Sequence, residues 1–169
     1  MMVVPTSDPA TVRPTMLETE LTTRSMGGGL RLVVTSTARD GDRADRDVRR
    51  VAQRIDAWAD RLTRFTDASD LSTLNADPER SPLTLRPTLA AALSHARRMA
   101  AATAGSVDVT MLDARLSAET GEWSMETGHP AWHLAGSGRQ RILVRDGRAR
   151  FDLDGVAKGW IADRALRLL

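Results

Sequence analysis

Ten residues, "FDLDGVAKGW" at 151–160, place two carboxylates, a glycine and a lysine between a strand-like run and a helix-like run. A strand that enters a helix through glycine presents free backbone amides to an anion. Lys158 is expected in the first turn of that helix. A cation there opposes the helix dipole by up to ~1 kcal/mol, and a bound phosphate would reverse the sign. Gly159 inside a helix costs roughly 1 kcal/mol relative to alanine, which makes sense if something large packs closely. Two readings fit: a phosphate-recognising site, or a solvated lysine beside a glycine that admits a neighbouring helix. The glycine-rich P-loop spacing is absent. Lys158 is the only lysine; the other 23 of the 24 basic residues are arginine.

Other chemistries are poorly served. The 169 residues contain no cysteine, which excludes disulfides, thiolate zinc sites, cysteine nucleophiles and a lipidated N-terminal cysteine. His129 and His133 have a spacing that suits metal on a helix, but Pro130 argues against a helix there, and two surface histidines are the simpler reading. Net charge is +2, and in "ARDGDRADRDVRR" the signs alternate. Nucleic-acid binding needs clustered positive charge with aromatics; tyrosine is absent and phenylalanine occurs twice, so no nucleic-acid partner is expected. No apolar run approaches the ~18 residues of a membrane span. The N-terminus lacks the pattern of a secretory signal, so a cytoplasmic location is the default expectation.

The elements that must position the candidate site follow from periodicity. Val48, Val51, Ile55, Trp58, Leu62 and Phe65 make one apolar stripe on a helix over 44–65, with Phe65 able to face a pocket instead of the core. Ser69 suits the N-cap of one short turn through Leu74. A second helix runs over 87–103, from Pro87 at its first position to Gly105 at its exit. "LRLVV" at 30–34 reads as a strand after "MGGG", which allows a tight bend or a close approach of backbone to a ligand, with a flexible loop the simpler reading. "RQRILVRDGRARFDL" reads as a hairpin over 140–153 turning at Asp146-Gly147, with Ala149, Phe151 and Leu153 on one face. No structure is read from 116–138. The result is an α+β fold in which the helices pack on a mixed or antiparallel sheet holding both 30–34 and the hairpin. Residues 1–20 are expected as a mobile tail and 21–169 as one domain.

"DLDGVAKGWIADRA" from Asp152 resembles the "DLGGIAKGYAVDRA" segment of the FAD:protein FMN transferase (ApbE) family. "MGGG" from Met26, "LTRFTDASDLSTLNA" from Leu62 and "TAGSVDVT" from Thr103 resemble further segments of that family, in the same order. The resemblance implies binding of FAD and a divalent metal, usually Mg2+. It implies transfer of FMN to a threonine or serine hydroxyl of an acceptor protein, with release of AMP. Alternatives are a flavin-nucleotide-binding module without transferase activity, or an FAD pyrophosphatase.

By motif, Met26 and Phe65 would line the flavin site, and Ser106, Val107 and Asp108 would contact FAD. Asp152 and Lys158 would hold the nucleotide, and Gly155 would offer its carbonyl to the metal. No catalytic residue is assigned. For Met26, Phe65 and Val107 the alternative is core packing, and for Asp108 a turn. For Asp152 it is a helix cap or an ion pair with Arg148 or Arg150. Asp154 stands where the family has glycine. The family's catalytic histidine and its Asp/Thr metal group lie further along its chains, so this sequence is expected to be an N-terminal portion. "RALRLL" at its end, apolar and uncapped, agrees with that expectation.

Overall fold

The stripe at 44–65 forms a helix, α1 (Gly41–Leu62), in a computed structural model that describes residues 15–121, 130–137, 140–145 and 149–169. Val48, Val51, Ile55 and Leu62 are buried. Trp58 is half-buried, edge-to-face with Trp160 at 5.9 Å. The helix ends three residues earlier than the stripe suggests. Thr63 is extended at φ −75° and ψ 146°, and its N–H closes the last turn on the Ala59 carbonyl. Phe65 therefore leaves the stripe and is 75% exposed.

Helix α1 packs on a two-stranded antiparallel sheet, β1 (Met16–Ser25) and β2 (Gly28–Thr37). Met26 and Gly27 form the two-residue turn, both with positive φ (53° and 75°), as a tight hairpin requires. Residues 16–20, assigned to the tail by sequence, instead form the first half of β1. Its half-buried face is Thr19, Leu21, Thr23 and Ser25, a period of two muted by polar side chains.

Ser69 caps α2 (Asp70–Ala76): its hydroxyl accepts the Ser72 N–H at 2.9 Å. Next come β3 (Leu83–Leu85), α3 (Pro87–Ala102) and α4 (Leu112–Thr120), then β4 (Trp132–Ala135), β5 (Arg141–Arg145) and α5 (Asp154–Leu166). The second sheet has the order β3-β5-β4, all antiparallel. The fold is α+β as expected, but 30–34 and the β5 region lie in separate sheets. The Asp146-Gly147 turn lies outside the described residues. Its expected second strand is not one: 149–153 pairs with no strand among the described residues. Its alternation nevertheless holds, with Ala149, Phe151 and Leu153 at most 1% exposed.

A buried segment without a ladder needs other partners for its backbone. The Asn75 amide supplies them at Phe151: its Nδ2 donates to the Phe151 carbonyl and its Oδ1 accepts the Phe151 N–H, both at 2.8 Å. The Asp152 N–H donates to the Val109 carbonyl at 2.8 Å. Arg145, 4% exposed, donates to the carbonyls of Ala149, Leu74 and Asp77. Burial pulls its pKa below the ordinary arginine value.

Replacing Asn75 by alanine strands two buried backbone groups, at about 1–3 kcal/mol each. Urea titration of Asn75→Ala should show a loss of roughly 2–4 kcal/mol on that basis. A loss under about 1 kcal/mol would mean the segment finds other partners.

Candidate functional site

The turn at Met26, the end of α1 and the start of α5 enclose a cleft of about 310 Å³. Met26, Leu62 and Phe65 supply apolar lining, and Arg64, Asp152 and Asp154 supply charge. Four residues singled out in the sequence, Met26, Phe65, Asp152 and Asp154, thus meet although they lie on three separate segments. Met26 reaches the cleft because the hairpin turn holds it at positive φ, a conformation uncommon for a side-chain-bearing residue.

Asp152 carries the electrostatics. Its side chain is 8% exposed. Oδ1 accepts the Asp154 N–H at 2.9 Å and so caps the start of α5. Oδ2 lies 3.1 Å from Arg115 and 3.8 Å from Arg64, within ion-pair reach but without an aligned hydrogen bond. Both alternatives raised for Asp152, cap and ion pair, are therefore present. The cations are Arg64 and Arg115, while Arg150 pairs with Asp113. Arg64 is held on three sides, by Asp152, by Glu119 and by the Phe65 ring 4.3 Å from its guanidinium carbon.

Helix α5 begins two residues before the expected apolar run, so Lys158 falls in the second turn and not the first. Its Nζ lies 2.6 Å from Asp154 Oδ1, and Asp154 Oδ2 is 3.0 Å from Arg115. Lys158 first, then Arg115, hold the Asp154 carboxyl below the ordinary value of 3.8. Arg115 is pushed upward, chiefly by its bond to Asp154. The dipole cost assigned to Lys158 is thus offset by an acid one turn earlier. No neighbour explains Gly159: a Cβ there would meet nothing within 4 Å, and the same is true of Gly155. Gly155 sits in the first turn of α5.

Ser106, Val107 and Asp108 occupy the loop after α3. The Thr103 hydroxyl holds its start by accepting the Val107 N–H at 3.1 Å. Asp108 Oδ1 accepts from both the N–H and the hydroxyl of Thr110. Val107 and Asp108 line another cleft, of about 460 Å³, beside Trp132; Ser106 is exposed. The structure does not bring this trio into the cleft of Met26 and Phe65. The bond from Asp152 N–H to Val109 links the two clefts. Sequence reasoning missed Arg64, Arg115 and Glu119. Arg115 and Asp154 are 39 residues apart, and no local pattern joins them. His129 lies outside the described residues; His133 is an exposed residue of β4.

Two outcomes test this arrangement. Asparagine at 152 keeps an oxygen for the Asp154 N–H, whereas alanine removes the cap. Asp152→Ala should therefore be less stable than Asp152→Asn by about 1 kcal/mol in chemical denaturation; equal stabilities would remove the cap. Asp154 has a folded pKa below its unfolded one, so its contribution is present above pH 3.8 and lost as pH falls through the lowered value. Asp154→Asn should be less stable than the parent at pH 7, and the gap should close below pH 3.8. A gap that persists in acid would assign the difference to packing.

Comparison with known proteins bears on the fold and the family. No curated protein matches the chain. Its fold is similar to the ApbE protein of Thermotoga maritima, with a TM-score of 0.72, 18% identity, and coverage of 90% of this chain and 52% of that one. It is similar also to the flavin transferase ApbE of Vibrio cholerae, with a TM-score of 0.65, 20% identity, and coverage of 90% and 53%. A histidine-to-glycine variant of that transferase gives 0.64, 20%, and 89% and 53%. The chain thus spans about half the length of these solved relatives. The sequence profile of the ApbE family matches residues 26–169, and the chain belongs to the ApbE family.

Proposed function

We propose that this chain is the flavin-nucleotide-binding part of a transferase that moves FMN from FAD to a threonine or serine hydroxyl of an acceptor protein. The carrying observation is the cleft that joins Met26 and Phe65 to Asp152 and Asp154 in a chain of the ApbE family. Its volume lies at the small end of ligand sites, so the flavin ring is the part of FAD it would take. Met26, Leu62 and Phe65 offer that ring apolar contact. Lys158 and Arg115 would meet the pyrophosphate, each giving up part of its contact with Asp154. In the reaction the acceptor hydroxyl loses its proton and attacks the FMN-side phosphorus. The bond to the bridging oxygen breaks, and AMP leaves with it.

Magnesium is the ion implied for this chemistry. Among the described residues there is no group of three or more His, Asp or Glu that could hold a metal. Asp154 and the Gly155 carbonyl do not by themselves fit a magnesium site. Such an ion would take most of its ligands from water, substrate phosphates or residues beyond those described. What these residues do is bind, orient and neutralise.

A second reading, FAD binding without transfer, is separated by one experiment. Residues 1–169 with FAD, magnesium and a threonine-containing acceptor should quench flavin fluorescence but attach little FMN, since the solved relatives are about twice as long. Robust attachment would make the remaining half dispensable and overturn the division of labour. Lys158→Ala should weaken FAD binding about ten- to a hundredfold, from the loss of a charge-assisted contact of roughly 1.5–3 kcal/mol. Asp154→Asn should strengthen it, by roughly three- to tenfold, because an anion beside the phosphates is gone. Unchanged affinity in both variants would remove this end of α5 from the site.

A further inference from the structure

Between α3 and the C-terminal half of α5 lies a cleft of about 340 Å³ lined by Arg98, Arg141, Arg164 and Arg167, with His95 and Asp163. Arg31, Arg49, Arg64 and Arg115 elsewhere are paired with carboxylates. The four in this cleft have no ion-pair partner among the described residues. Arg98 donates to the Ser94 carbonyl at 3.3 Å and has its other terminal nitrogen 3.3 Å from His95 Nδ1. Arg141 donates to the Gly136 carbonyl at 2.8 Å. Arg164 lies 4.7 Å over the Trp160 ring, and its Nε is buried without a hydrogen-bond partner. A guanidinium has five N–H donors, so most of this cleft's donors are uncommitted. Like charges gathered in one concavity repel one another and focus a field that attracts anions.

The lining also says which anion. Trp160 is 6% exposed and covered by Arg164, so no aromatic face is open to a nucleobase. Planar guanidinium forks match phosphate oxygens in pairs. We propose that this cleft binds a compact polyphosphate, a di- or triphosphate chain held by the arginines without recognition of a base. It is separate from the cleft of Met26 and Phe65 and does not depend on the flavin reading. His95 sits inside it as a reporter. Burial first, and Arg98 second, push its pKa below the ordinary 6.5 against a smaller pull from Asp163, and its Nδ1 lies 3.3 Å from Arg98, so its signals respond to an anion set beside it.

Tripolyphosphate titrated into the protein at fixed ionic strength, followed by calorimetry and by histidine-ring NMR, tests the assignment. Binding should shift the His95 signals and leave those of His133 in place. Arg98→Gln together with Arg167→Gln should lower affinity at least about tenfold. Both residues are exposed, so each single variant remains a folded test, with a smaller loss in the same direction. ATP should bind within about threefold of tripolyphosphate, whether the phosphates arrive free or on a nucleotide. Undetectable binding, an unmoved His95, or affinity unchanged in the variants would overturn the site. Citrate binding as tightly as tripolyphosphate, or ATP binding more than about tenfold tighter, would overturn the ligand class. Displacement by FAD would reassign the cleft to the flavin site.

Discussion

Residues 149–153 run through the core with no strand beside them among the described residues, and the rest of the site is arranged around meeting that segment's hydrogen bonds. Each buried N–H and C=O must find a partner or cost free energy. Asn75 meets both groups of Phe151 and thereby fixes α2 against the segment. Val109 accepts from Asp152 and fixes the loop after α3. Arg145 reaches the Ala149 carbonyl from β5 and also ties down Leu74 at the end of α2. The Leu153 carbonyl accepts from Val156 and Ala157, which starts α5. One five-residue stretch thus sets the positions of two helices, a loop and a sheet.

The period of two along that stretch then separates packing from chemistry. Phe151 and Leu153 enter the core, and Phe151 meets Trp132 edge-to-face at 5.3 Å. Asp152, between them, is turned toward the cleft, with its side chain 8% exposed. A carboxylate so placed requires compensation. It receives the Asp154 amide on one oxygen and two guanidinium groups near the other. The same residue starts the helix and orients the cations, so the charge arrangement of the cleft and the geometry of α5 are one constraint.

What could be read from sequence was what local chemistry determines. The stripe of α1, Pro87 at the start of α3 and the Ser69 cap each depend on residues within a few positions of one another, whereas "MGGG" permitted the turn at Met26 but read more simply as a loop. The alternation of 149–153 was legible for the same reason. Its missing partner was not, because pairing is set by what lies across the sheet. Strand β1 carried a weak period of two hidden among threonines, and α4 fell in a stretch with no clear stripe. Periodicity offered Phe65 a pocket only as an alternative to the core, while the family resemblance put it at the flavin site; that it lines a cleft follows from the end of α1 at Leu62, which depends on Thr63 turning extended. Arg64 and Arg115 were invisible as a pair: nothing in one chain of residues states that the segment leaving α1 and the helix α4 bring their arginines to a single carboxylate. Gly159 is the reverse case, where a sequence cost suggested a close neighbour and the structure shows open space.

Helix α5 separates two kinds of positive charge. Near its start, Lys158, Arg115 and Arg64 are each matched by Asp154, Asp152 or Glu119. Near its end, Arg164 and Arg167 stand with Arg98 and Arg141 around a cleft whose one acid, Asp163, pairs with none of them among the described residues. Matched cations hold a defined geometry in the absence of ligand, but an incoming phosphate must compete with the resident carboxylates. Unmatched cations offer no such competition, and their mutual repulsion is relieved when an anion arrives. Under the proposed function the start of α5 would serve orientation and selectivity, and its end would serve capture of a polyphosphate; the uncommitted guanidinium donors there are the physical difference between the two.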